Sequence, residues 1–296
     1  MRQYEMTSNT KMYFGRKLYQ IRALVNFEDI KAGDLGGYIE KEENLSQDGY
    51  AWVFNNAYVF GNALVYGNAR VFDNALIYGN AEVYGNALVY GNAFVFDNAQ
   101  IYNNALVHGG AWVFNNALIY GDAEVYGDAM IYDNAEVYGD ARVYGNALVY
   151  GNALVCGNAL IYDNAQIYDD AEVFNNAQVY GNAQIYDSAS VYDNARVFDD
   201  AKVLGNARVC DSSQIYNNAL ICDSANYIYF KGFGSKSRNT TMFRTRNGNI
   251  IVKCGCFTGN LKEFSEKIKE THGNTKYAKE YLVCIEAAKI HFEIDE

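Results

Sequence analysis

From Ala51 to Ala225 the chain repeats one six-residue phrase: alanine, a variable residue, Val or Ile, an aromatic, then two residues drawn mostly from Gly, Asn and Asp. Ala63-Leu64-Val65-Tyr66-Gly67-Asn68 and Ala147-Leu148-Val149-Tyr150-Gly151-Asn152 are two instances. The 174 positions from Ala51 up to Ala225 divide into 29 units, and Ser213 is the only break in the alanine column. A fixed short period means that units stack on their neighbours rather than fold alone, so the repeat is read before any separate strand or helix.

Within a unit, Ala and Val/Ile are two apart and share one side of an extended segment. The residue between them is often charged or polar (Arg70, Glu82, Gln100, Lys202) and must face out. The Gly/Asn/Asp pair tolerates φ > 0, which a tight corner needs. Short parallel strands with sharp corners predict a β-solenoid whose thin interior is filled by Ala and one branched aliphatic per unit. The number of sides follows from phase. If three units make a coil, residues 18 apart stack, and Tyr58, Leu76, Phe94, Trp112, Met130 and Leu148 line one face, all apolar. The other faces mix Arg70, Leu88, Leu106, Glu124 and Arg142, or Leu64, Glu82, Gln100, Leu118 and Glu136. Taking every second unit sorts nothing, so three sides are predicted.

The pattern of aliphatic, Gly, Asn/Asp and small residue, as in Val65-Tyr66-Gly67-Asn68-Ala69, resembles the hexapeptide-repeat superfamily over 51–224. That resemblance implies a left-handed parallel β-helix, here of about ten coils, and the expected class is an all-β solenoid with terminal additions. Stacked Asn and Asp corners (Asn62, Asn80, Asn98) predict side-chain ladders. The aromatic column is expected to pack ring over ring, with a stacking platform for sugars or bases as the functional alternative.

The ends differ. Residues 1–50 read as a cap, with a hairpin around Gly15 and irregular first-coil sequence after it, because an open solenoid end leaves backbone groups unpaired. It resembles the cap preceding such repeats in many bacterial and phage-encoded proteins, often labelled acyltransferases. Residues 226–296 form a basic α+β tail: Asn226 to Cys256 holds no acid but six cations. A hairpin is expected across Asn247-Gly248, a helix from the Asn260/Glu263 capping pair to Gly273, and a second helix over roughly 276–289. The tail resembles small domains recurring in phage and prophage proteins.

Composition narrows the functions. The net charge of −11 argues against whole-chain attraction to DNA or to an anionic membrane. No apolar run reaches the roughly 18 residues of a membrane span, and no secretory signal opens the chain. Three of the six cysteines (Cys156, Cys210, Cys222) merely replace the aromatic, so reduced thiols and a cytoplasmic setting, inside a host bacterium, are expected. Proline is absent, as suits a chain of paired strands.

Candidate chemistry is sparse. The resemblance implies either acyl transfer with a His base between subunits or a three-His zinc site. His108 is the only histidine in the repeats, which excludes the second and leaves His108 as the single catalytic candidate, against a plain surface substitution. No cofactor is expected. Cys254, Cys256, His272, Cys284 and His291 have weak zinc spacing, and no metal is predicted. In the tail, Ser235, Lys236, Arg238, Thr240, Arg244 and Arg246 are the candidate anion-binding set, a nucleotide-like ligand included, without P-loop spacing. The apolar stripe exceeds what a monomer usually leaves in water, so it is the candidate homo-oligomer interface, a dimer or trimer, with refolding of the N-terminal segment over it as the alternative. The expected function is a non-catalytic, self-associating binding or scaffold protein engaging a host protein or anionic ligand through its tail. Acyl transfer at His108 and an acidic nucleic-acid mimic are the alternatives.

Overall fold

A computed structural model describes residues 2–294. The chain forms two compact units, Met1–Asp163 and Asn164–Glu296, each a stack of three-sided parallel coils with its own addition. Every unit of six contributes one short strand, two residues long except for Leu64–Gly67, and strands 18 apart pair in parallel: Tyr58 with Leu76, Glu82 with Gln100 and Leu88 with Leu106 in the first unit, Gln184 with Lys202 in the second. Backbone amides donate to the carbonyl seventeen residues ahead, as Tyr58 N does to Ala75 O at 3.0 Å. Inside, the Ala and Val/Ile columns are fully buried.

The corners explain the Gly/Asp/Asn choice. The fifth position of every unit up to Asn217 is left-handed whether it holds Gly (Gly91, φ 72°) or not (Asp73, φ 59°; Asn103, φ 57°; Asp133, φ 58°), and only the last unit, at Asp223, is extended there. Asp is tolerated there because its carboxylate finds work in the next coil: Asp73 Oδ2 accepts from Gly91 N at 3.1 Å, and Asp187 Oδ2 from Gly205 N at 3.0 Å. One position later, Asn62, Asn80, Asn98, Asn116 and Asn134 form a ladder in which each amide donates to the next at 2.9–3.2 Å. The aromatics stack ring over ring at each edge, Tyr66 on Tyr84 at 4.8 Å and Tyr180 on Phe198 at 4.9 Å, nearly coplanar in orientation.

In the first unit the expected hairpin is β1 (Tyr4–Tyr13) and β2 (Arg16–Ala23), turning at Phe14 and Gly15, both left-handed. β2 runs antiparallel to β3 (Leu35–Ile39), which pairs in parallel with Tyr58–Val59, so the hairpin closes the otherwise bare edge of that face. Tyr4 and Phe27 meet Trp52 edge-on at 6.3 and 5.6 Å and bury it almost completely, although its position in the repeat marks it as outward.

In the second unit a four-stranded antiparallel sheet (Tyr227–Phe233, Arg238–Arg244, Ile250–Cys254, Phe257–Gly259) follows the coils. One side faces the last coil: Phe243 meets Tyr216 edge-on at 5.2 Å, Gln214 N donates to Thr241 Oγ1 at 3.2 Å, and Tyr227 OH donates to Arg208 O at 2.7 Å. The other side (Met242, Val252, Cys254) packs against α1 (Leu261–His272) and α2 (Lys276–His291) through Phe264, Ile268, Tyr281 and Ile285. α1 has the expected capping box: Glu263 N donates to Asn260 Oδ1 at 2.9 Å, and Asn260 N to Glu263 Oε2 at 2.8 Å. The hairpin differs from expectation in its turn. Thr245 N donates to Asn249 O and Arg246 N to Asn218 O, so Thr245 to Asn249 form a wider loop that docks on the coil.

The corner geometry makes a prediction. Asp73→Val should lower stability by roughly 2 kcal/mol, from the left-handed penalty and the lost acceptor together. Asp73→Gly, which loses only the acceptor, should cost about half that. Urea-unfolding midpoints distinguish them, and equal losses would overturn the corner account.

Candidate functional site

His108 occupies an aromatic position, on the edge following Leu106–Val107. Its ring lies between Tyr90 at 4.5 Å and Tyr126 at 5.0 Å, parallel to both within 2°. Nε2 is 3.1 Å from Glu124 Oε1, and Glu124 Oε2 is 3.4 Å from Arg142 Nε. The sequence places no acid in the same unit; the coil above supplies one. The signal was available as a constant offset of sixteen residues, since Tyr66 OH donates to Glu82 at 2.8 Å and Tyr120 OH to Glu136 at 3.0 Å. Burial in the stack, then the adjacent carboxylate, pushes both phenols above their ordinary range and keeps them donors. His108 therefore makes the contacts that a tyrosine makes at the equivalent places. As a base it would have a carboxylate partner on one nitrogen, with its ring faces closed off by the stack.

The apolar stripe is contiguous, each member paired with the next: Tyr58, Leu76, Phe94, Trp112, Met130, Leu148. Its two ends differ. Tyr13 of β1 stacks on Tyr58 at 4.8 Å, Lys11 Nζ donates to Tyr58 OH at 3.3 Å, and Leu76 is 5% exposed within a cluster with Leu18, Tyr38 and Phe60. The N-terminal hairpin thus covers Tyr58 and Leu76. Further along, Phe94, Met130 and Leu148 are half-buried and Trp112 is 41% exposed, its ring 4.7 Å from Phe94.

The basic run of the tail is dispersed by the sheet. Ser235 and Lys236 sit in an exposed turn, while Thr240 is fully buried. Arg244 Nη2 donates to Phe292 O at 2.6 Å, its guanidinium 5.7 Å from the Phe292 ring. Arg246 Nη2 donates to Asp200 O at 2.9 Å. These two arginines hold α2 and the last coils, and Thr240 is a core residue. Only Arg238 of the set lines a cleft, of about 420 Å³, together with residues of α1 that the sequence reading did not include: Phe264, Lys267, Ile268, Thr271 and His272. Their i, i+3, i+4, i+7, i+8 spacing marks them as one helical face. Cys254 and Cys256 also line it, whereas Cys284 is buried, its thiol pushed up to about 11 by burial, and His291 Nε2 lies 3.0 Å from Tyr227 O. Among the described residues no three His, Cys, Asp or Glu side chains gather as metal ligands, and no helix is long and apolar enough to cross a membrane.

A family model described as the YdcK beta solenoid repeat matches residues 63–79, 99–115, 135–151, 141–157 and 165–181. All these stretches lie in the coils, and the chain is a β-solenoid repeat protein on both grounds. No curated protein matches it.

If His108 is held by ladder geometry, His108→Tyr should change stability by less than about 0.5 kcal/mol. His108→Ala should lose roughly 1–3 kcal/mol from two ring contacts. A tyrosine variant as damaged as the alanine one would contradict the equivalence.

Proposed function

We propose that the protein is a non-catalytic binding and scaffold protein. The coils supply a self-supporting surface, copies associate through the part of the stripe from Phe94 onward, and the tail engages an anionic ligand or a protein of the cell, in keeping with the phage or prophage setting that the sequence resemblance implies. The observation that carries this reading is the apolar run from Phe94 through Trp112 and Met130 to Leu148, in which Trp112 is exposed and the other three are half-buried. Large apolar side chains left in water on a flat face are a signature of association. The hairpin over Tyr58 and Leu76 supports it, because the same chain covers the stripe where it can reach. Uninterrupted coils support the absence of catalysis: no long loop interrupts them to enclose a substrate.

Acyl transfer is the second reading, favoured by one observation, the Glu124 carboxylate against His108. A His–carboxylate pair is the arrangement a general base uses. Incubation with acyl-CoA and an amine or hydroxyl acceptor decides between the readings: thiol release that disappears in His108→Ala would establish catalysis and overturn the scaffold reading.

The interface is tested by sizing. The intact protein is expected to run larger than one chain, and the double variant Trp112→Glu, Leu148→Glu as a single chain with an unchanged circular dichroism spectrum. Equal elution of the two proteins would remove the stripe as the interface.

A further inference from the structure

The cleft between the tail sheet and α1 has a composition that selects a ligand. Its walls are rings and aliphatics, Phe257, Phe264, Ile268 and Tyr281, and its polar rim is cationic, Arg238 and Lys267, with no carboxylate among the lining residues. About 420 Å³ lies in the range of small-molecule sites. The two cations are not equivalent. Lys267 Nζ is already 2.8 Å from Glu270 Oε2. Arg238 has no hydrogen-bond or ion-pair partner among the described residues, although Arg244 and Arg246 beside it are fully employed in holding the domain together.

Arg238 is exposed and lies against a turn. Gly255, left-handed at φ 59°, lies between Cys254 and Cys256, and a Cβ there would sit 2.6 Å from Arg238 Nη1. The guanidinium therefore lies against the turn at Gly255. Behind it, Cys254 Sγ donates to Tyr281 OH at 3.7 Å, and that hydroxyl donates to Phe233 O at 3.2 Å. Tyr281 thus presents its ring, with His272 stacked on it at 5.8 Å. A planar fork without a partner at the mouth of a ring-lined cleft matches a carboxylate or phosphate on a flat body.

The geometry points to this cleft as a binding site for a small oxyanion carried on an aromatic ring system, a nucleoside monophosphate or an aromatic carboxylate, with Arg238 gripping the anion and Phe257, Phe264 and Tyr281 enclosing the ring. This deepens the tail's part of the proposed function and rests on that part alone. Binding and sizing read different residues, so either can fail without the other.

Isothermal titration of the full-length protein tests it with four probes: AMP, indole-3-acetate, adenosine and inorganic phosphate. AMP or indole-3-acetate should bind about tenfold or more tightly than both single-feature probes, and which of the two wins identifies the anion as phosphate or carboxylate. Arg238→Ala should lower that affinity by about tenfold with an unchanged melting temperature, since Arg238 supports no other group. Arg238→Lys should recover only part, and Lys267→Ala should lose less than Arg238→Ala. The site is overturned if neither ringed anion binds, if adenosine or phosphate alone binds as tightly, or if Arg238→Ala binds like the parent.

Discussion

The eighteen-residue lap is the constraint on which both units depend. An amide at one level donates to the carbonyl seventeen residues ahead, and this is possible only if every sixth residue turns a corner in the left-handed region. A single right-handed corner would shift all later pairings, and a slip of one residue would turn the Ala and Val columns outward. The corners are accordingly held by Gly, Asn or Asp throughout, and carboxylates such as Asp73 and Asp187 gain a partner in the next coil. Once the lap is fixed, like meets like: alanine over alanine, amide over amide, ring over ring.

That arrangement consumes chemistry. A side chain at a repeat position finds its partner in the same position of the next coil, or sixteen residues on. Tyrosine hydroxyls are taken by Glu82 and Glu136, corner amides by other amides, and the lone imidazole by Glu124. A residue type that signals catalysis elsewhere is here absorbed into a ladder. What the ladders leave over is the outward apolar stripe, where Trp112 is exposed, and the tail.

The tail shows the same economy by other means. Its cations are clustered in sequence, but they serve different partners: Arg238 and Arg244 stand at the two ends of one strand, and Arg246 lies in the loop beyond it. Arg244 is drawn to the end of α2, Arg246 to the coil, and Arg238 to a cleft whose second wall is a helix some thirty residues later in the chain. The sheet uses the rest of the run to attach itself to the coil, and this is also why the hairpin turn widened beyond Asn247-Gly248.

The six-residue phrase alone determined the solenoid, its three sides, the buried columns, the ladders and the corner conformation, because each unit contacts only its copies and a strictly periodic contact is visible in a periodic sequence. The helix ends of the tail were equally legible, since Asn260, Glu263 and Gly273 act within one turn of themselves. Tertiary structure decided what periodicity cannot encode. Trp52 is buried because Tyr4 and Phe27 arrive from outside the repeat, and Tyr58 and Leu76 are covered because β1 curls over them. Whether a given arginine is structural or free depends on partners far away in sequence, and no local spacing records that.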